Sequence, residues 1–248
     1  MNLPEVVSPE VWRAARIELL AEEKAMTRAR DALNRKRREL PMVKIEKDYD
    51  FDGPEGKVSL LDLFDGRRQL IVGHFMFSPD WDEGCSSCTA GADEISKGLL
   101  DHLHARETTL VKVSRAPLEK IERYKASKGW TFPWYSSFGS AFNYDFHVTM
   151  DESVTPVEYN YKTREEHEKA GTGYYFEGDQ PSEQPGSSYF LREGDDIFHT
   201  YSTFGRGGEM TGGSYYFLDL TALGRQEEWE EPKGRVPVAH HTSPDFAE

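Results

Sequence analysis

Cys85 and Cys88 are the only cysteines in the chain, and two serines separate them. Thiols at this spacing lie one helical turn apart on one side of a helix, close enough to exchange a disulfide. The run Leu70-Ile71-Val72-Gly73-His74-Phe75-Met76-Phe77 ahead of them predicts a buried strand, and Ser78 to Gly84 predicts a loop. Thr89 to Leu103 reads as a helix with Ile95, Leu99, Leu100 and Leu103 on one face. A thiol set where a strand hands over to a helix meets free backbone N–H groups and the positive end of the helix dipole, and both favour the thiolate. Cys85, the first and more exposed of the two, is expected to attack, and Cys88 to resolve. The same pair also reads as two inert reduced thiols, or as half of a zinc site. Zinc takes four ligands and there is no second CxxC, so His74, His147 and His199 would have to complete it, His240 and His241 lying in the tail.

Composition narrows the class. With 248 residues, 37% hydrophobic and 30% charged, the chain can bury a full core and present a well-charged surface. A net charge of −14 speaks against nucleic acid or an anionic membrane as partner. No apolar run is long enough to span a bilayer. Met1 to Glu5 shows no basic stretch followed by an apolar one, so a cytoplasmic location is expected, where a disulfide would be transient.

The elements that must position the cysteines follow from periodicity and punctuation. Ser8 and Pro9 open a long helix in which Trp12, Leu19, Met26, Leu33 and Leu40 recur every seven residues. Glu22 and Lys36 interrupt its second apolar row, and Pro41 stops it. The helix is either packed along its own domain or a dimer arm. Residues 42–59 read as a hairpin around Asp52-Gly53-Pro54-Glu55-Gly56. Thr108 to Ser114 reads as a second apolar strand, Pro117 to Lys128 as a helix closed by Gly129, and Trp130 to Ser137 as a strand. The aromatic cluster Trp130, Phe132, Trp134, Tyr135, Phe138, Phe142, Tyr144 and Phe146 is core or interface by default. Residues 151–186 are a polar insertion expected to be a mobile loop or arm. Strands at 187–192 and 197–204 follow, then glycine-rich 205–213 and an extended segment from Tyr215 to Thr221. Three segments result: an N-terminal helical extension 1–41, a domain 42–225, and a loosely ordered tail 226–248. The order predicts an α/β fold, its central mixed sheet parallel in the middle and antiparallel at the edge.

This order resembles the thioredoxin-like superfamily, and residues 56–77 resemble the opening of peroxiredoxin-type members. More closely, the chain is similar to a bacterial group known as domain-of-unknown-function family 899, described as predicted dithiol-disulfide oxidoreductases. The strings that carry the likeness are Trp81-Asp82-Glu83-Gly84-Cys85-Ser86-Ser87-Cys88, residues 129–137 (GWTFPWYSS), residues 142–146 (FNYDF), residues 198–207 (FHTYSTFGRG) and residues 218–225 (LDLTALGR). They span roughly residues 8–226. The implied fold is thioredoxin-like, with the long N-terminal helix added.

The resemblance also implies roles. Trp81, four residues before Cys85, stands where thioredoxins often carry a tryptophan beside the nucleophile. His74 stands where they often keep a buried acid that takes a proton from the second cysteine, a task a histidine can perform. Pro185 is the nearest candidate for the cis-proline that faces the motif, although Gly186 and Ser187 intervene. His199, Tyr201 and Arg206 could line a substrate groove, Arg206 pairing an anionic group. The peroxidatic motif of peroxiredoxins requires proline seven residues, and threonine or serine three residues, before the cysteine. Counting back gives Ser78 and Asp82 from Cys85, and Trp81 and Cys85 from Cys88, which disfavours a standard peroxidase. The expected function is thiol–disulfide exchange on a protein or small-molecule substrate, without a bound cofactor or metal. The competing expectation is a non-catalytic binding or assembly protein that dimerises through its N-terminal helix.

Overall fold

The computed structural model describes residues 3–211, 213, 216 and 218–239. Tyr215, Phe217, His240, His241 and the rest of the expected tail beyond residue 239 lie outside the described residues. Residues 42–213 form one compact unit, and residues 3–41 with 216–239 another.

The second unit contains helix α1, Pro9–Arg38. The Ser8 hydroxyl accepts the Val11 N–H at 3.4 Å, Pro9 opens the first turn, and Arg35, Lys36, Arg37 and Arg38 fill the last, where cations offset the negative dipole end. None of its residues is buried.

The first unit runs β1 (Val43–Lys44), β2 (Asp50–Gly53), β3 (Gly56–Ser59), β4 (Gln69–His74), α2 (Ser86–Asp93), α3 (Lys97–His104), β5 (Thr108–Ser114), α4 (Leu118–Lys128), β6 (Trp134–Ser136), α5 (Phe142–Asp145) and β7 (Thr149–Met150). It continues through β8 (Glu158–Tyr159), β9 (Lys162–Thr163), α6 (Arg164–Lys169), β10 (Ser182–Glu183), β11 (Gly186–Glu193) and β12 (Asp196–Phe204). Eight strands share one sheet in the order β1-β12-β11-β4-β5-β6-β2-β3. Strands β4, β5 and β6 are parallel, and β11 lies antiparallel on the other side of β4. This is the thioredoxin-like arrangement that the sequence implied: a central strand, the CxxC helix straight after it, a parallel neighbour, and an antiparallel pair on the far side.

Alternate strand residues point to opposite faces, and the two faces carry separate cores. On one, Leu70, Val72, Val111 and Val113 pack with Phe51, Phe142, Phe146 and Phe190. On the other, Phe75, Phe77 and Trp134 pack beneath Ala92 of α2 and Ile121 and Tyr124 of α4. Among the described residues no helix is long and apolar enough to cross a membrane.

Three local expectations change. The single helix over 89–103 is two helices, because Ser96 starts a new one by accepting the Leu99 N–H at 3.1 Å. The strand expected from Trp130 is paired only from Trp134, since Pro133 has no N–H to donate. The polar stretch 151–186 has structure of its own. Thr163 and Glu166 form a reciprocal cap on α6, and buried His167 bonds the Tyr159 carbonyl and the Thr172 hydroxyl, both at 2.8 Å.

Candidate active site

Helix α2 begins one residue after Cys85, which makes Cys85 its N-cap. Its N–H donates to the Met76 carbonyl at 3.0 Å, and its carbonyl accepts both the N–H and the hydroxyl of Thr89 at 2.9 Å. That hydroxyl also meets the Tyr124 hydroxyl of α4 at 2.9 Å, tying the start of α2 to its neighbour. The loop before it is clamped by the Lys120 ammonium, which donates to the carbonyls of Pro79 at 2.7 Å and Trp81 at 2.8 Å. Gly84 is dictated by space. A Cβ there would lie 2.5 Å from Cε1 of Phe75 and 3.1 Å from Cε1 of Tyr124, so the chain can reach Cys85 only over a residue without a side chain.

The two thiols are unequal. The Cys88 S–H donates to the Cys85 sulfur, as do the backbone N–H groups of Cys88 and Ser87 and the Ser87 hydroxyl. These donors outweigh burial and bring the Cys85 thiol down to about 6. The same hydrogen bond, read from the other partner, holds the Cys88 proton in place, and burial and the Cys85 charge add to it, so Cys88 is raised well above an ordinary thiol. The pair therefore holds one proton between two sulfurs, with the negative charge on Cys85. Both cysteines are free and half-buried.

A further group on this face of the sheet was not singled out from sequence. Lys112 of β5 pairs in register with Gly73 of β4 and Trp134 of β6, and so points toward α2. Its side chain lies across Gly73, where a Cβ would come within 2.7 Å of Nζ and 2.9 Å of Cδ. Burial lowers the Lys112 ammonium pKa, while the charge of Cys88 opposes that shift. The signal in the sequence was a lysine inside an otherwise apolar strand. Tyr159, within the stretch expected to be an excursion, is the second such residue. Its buried hydroxyl lies against Gly205, and burial, then Tyr175, then the charge of Cys88 among smaller causes push its pKa up.

His74 does not stand where the expected role requires. It follows Gly73 in β4 and so points to the opposite face, stacked near Phe142 and Phe146. Its Nε2 meets the Ser188 hydroxyl at 2.8 Å, which meets that of Ser202 at 2.8 Å, which in turn meets His199 Nε2 at 2.7 Å. Burial first, and the nearby Lys112 charge next, push His74 down to about 3, so it is neutral. His199 joins this chain because the pairing of β11 with β12 shifts between Tyr189 and Phe190, a bulge that turns it toward Phe146 and Phe190. Arg206 forms an exposed ion pair with Glu209 at 3.0 Å. Trp81 is exposed on the clamped loop. Pro185 follows a trans bond; the cis bonds among the described residues precede Pro181 and Pro232. Among the described residues, no group of three or more His, Cys, Asp or Glu side chains gathers as a metal site.

No curated protein matches the chain. Among solved structures it is similar to the bacterioferritin comigratory protein of Xanthomonas campestris, with 13% identity, a TM-score of 0.43, and coverage of 65% of this chain and 84% of that one. A PrxQ variant from Xylella fastidiosa aligns at 14% identity with a TM-score of 0.39 over the same shares of the two chains, 65% and 84%. The peroxidoxin BcpB of Mycobacterium tuberculosis aligns at 10% identity and a TM-score of 0.36, over 69% of this chain and 93% of that one. The family profile that describes a bacterial protein of unknown function, DUF899, matches residues 1–242, and the chain belongs to that family.

Proposed function

We propose that this chain is an enzyme of thiol–disulfide exchange in which Cys85 attacks and Cys88 resolves. The observation that carries the reading is the unequal pair: a sulfur at a helix start, lowered to about 6, beside a thiol held protonated. The Cys85 thiolate attacks one sulfur of a substrate disulfide, forming a mixed disulfide and releasing the other half as a thiolate, which takes a proton from water. The Cys85 charge is then gone, and with it the hydrogen bond that held the Cys88 proton. That proton passes to water, and the charge of the Lys112 ammonium on the same face of the sheet favours the Cys88 thiolate that remains. The Cys88 thiolate attacks Cys85, closing the Cys85–Cys88 disulfide and releasing the second half of the substrate. Two electrons move from the dithiol to the substrate, and the reverse sequence oxidises a dithiol substrate. The couple needs no bound cofactor, and the partner is a protein or a small molecule that carries a disulfide or thiol.

Replacing Cys88 by serine stops the cycle at the mixed disulfide. Cys88→Ser incubated with a disulfide such as oxidised glutathione, or with a cell extract, should yield adducts that map to Cys85 by mass spectrometry and vanish on reduction. If neither source gives an adduct while the folded chain remains intact, the exchange reading is wrong.

A further inference from the structure

We propose that helix α1 joins two copies of this chain as an antiparallel helix pair centred on Met26. Trp12, Leu19, Met26, Leu33 and Leu40 are evenly spaced about Met26, the first four on α1 and Leu40 just beyond its last turn. A twofold axis through Met26 therefore sets Trp12 of each copy opposite Leu40 of the other, and Leu19 opposite Leu33. All five side chains are between 46% and 70% exposed, and α1 buries no residue at all. A helix of 30 residues is about 45 Å long, and helices in proteins draw most of their stability from packing an apolar face. Covering the five side chains on both copies removes on the order of 1,000 Å² from water, the size at which a specific interface becomes stable.

Charge selects the direction. Residues 9–23 carry Glu10, Glu18, Glu22 and Glu23 against Arg13 and Arg16. Residues 24–38 carry Lys24, Arg28, Arg30, Arg35, Lys36, Arg37 and Arg38 against Asp31. Antiparallel pairing lays each acidic half along the other copy's basic half, and brings Glu22 opposite Arg30 of the second copy. Parallel pairing would lay basic half on basic half. The geometry thus accounts for Glu22, which interrupts the second apolar row and meets Arg30, while Lys36 falls opposite Arg16 of the second copy.

The test uses the full chain with Cys85→Ser and Cys88→Ser, so that introduced cysteines are the only thiols. Sedimentation equilibrium should return a dimer whose association weakens as salt rises. Met26→Cys should cross-link to itself, and a mixture of Trp12→Cys and Leu40→Cys should cross-link to each other, while Trp12→Cys alone should not. Met26→Glu places two carboxylates at the axis and should weaken association about 100-fold, with the circular dichroism of the folded chain retained. A monomer at every concentration, which would leave the arm to some other protein, overturns the proposal. Self-linked Trp12→Cys, or a Met26→Glu chain that remains a full dimer, overturns it as well.

Discussion

Removing the Cys88 thiol should raise the pH at which Cys85 becomes reactive. Four donors lower Cys85 to about 6 from an ordinary value of 9.0, and the Cys88 S–H is the largest of them. At pH 7 a thiol of pKa about 6 is roughly 90% ionised and one of pKa 9 about 1%, a gain of about 90-fold in thiolate. Intrinsic nucleophilicity falls by about 0.4–0.5 log units per pKa unit, which takes back about 20-fold. The net gain is only about fourfold, so a single rate at neutral pH is a poor readout and the midpoint of the pH profile is the right one. Alkylation of reduced protein by iodoacetamide, followed by stopped flow and located by mass spectrometry, should titrate near pH 6. In Cys88→Ala the midpoint should rise by at least about one unit and still lie below 9, because the Ser87 and residue-88 N–H groups and the Ser87 hydroxyl remain. The rate at the high-pH plateau should rise as well, a more basic sulfur being the better nucleophile. The linkage has a definite sign. Between about 6 and 9 the unfolded chain binds a proton on Cys85 that the folded chain lacks, so stability of the reduced protein rises with pH and the contribution is lost as pH falls through 6. Above 9 the folded chain keeps the Cys88 proton longer than the unfolded one, and stability falls. A wild-type midpoint at the free-thiol value of about 8.5, or one that Cys88→Ala leaves in place, refutes the reasoning.

Gly73→Ala would place a Cβ 2.7 Å from Lys112 Nζ, and a flexible lysine end yields by swinging away. Disulfide closure in Cys85-adducted protein should slow by about tenfold or more while the Cys85 alkylation midpoint stays put; equal effects on both would deny Lys112 a part in the second step alone. His74→Leu changes the opposite face of the sheet, so it should leave the midpoint and the closure rate untouched and shift urea-unfolding stability by no more than about 2 kcal/mol. Arg115 donates to the buried Glu183 at 2.6 Å, and the other Glu183 oxygen accepts from Thr149 at 2.8 Å. Burial pushes the Glu183 carboxyl up despite Arg115. Arg115→Met should therefore cost about 3–5 kcal/mol, since it strands a buried carboxylate, whereas Glu183→Gln should cost distinctly less; comparable losses in urea titrations would contradict this.

The local architecture around the cysteines was readable because short-range rules set it. Apolar strand, loop, thiol and helix follow one another within about thirty residues, and Pro117 and Gly129 mark the α4 boundaries, Gly129 adopting the left-handed cap at φ 70°. The break at Ser96 is equally local, a serine cap inside an apolar pattern, but the apolar face that continues on both sides hides it. The insertion is hard to read for a different reason. Its buried residues, Tyr159, His167 and Phe176, stand far apart among polar neighbours, Tyr159 and Phe176 joining the core of the sheet, and composition averages over them.

By itself the sequence determined which atoms can do chemistry and where along the chain they enter a helix: two thiols, a glycine before them, a helix dipole behind. It could not determine what faces them. His74 and Gly73 are adjacent in sequence, and a strand sends neighbours to opposite faces. Which of the two lies beneath α2 depends on the side from which the helix packs, and that is decided by Phe75, Phe77 and Trp134 meeting α2 and α4 across the sheet. The tertiary structure thus put His74 in a serine-linked chain with His199, and laid Lys112, some two dozen residues beyond Cys88, across Gly73 on the other face of the sheet by strand pairing. What a titratable group can do depends on what it faces, and contact between strands is settled only when the sheet has formed.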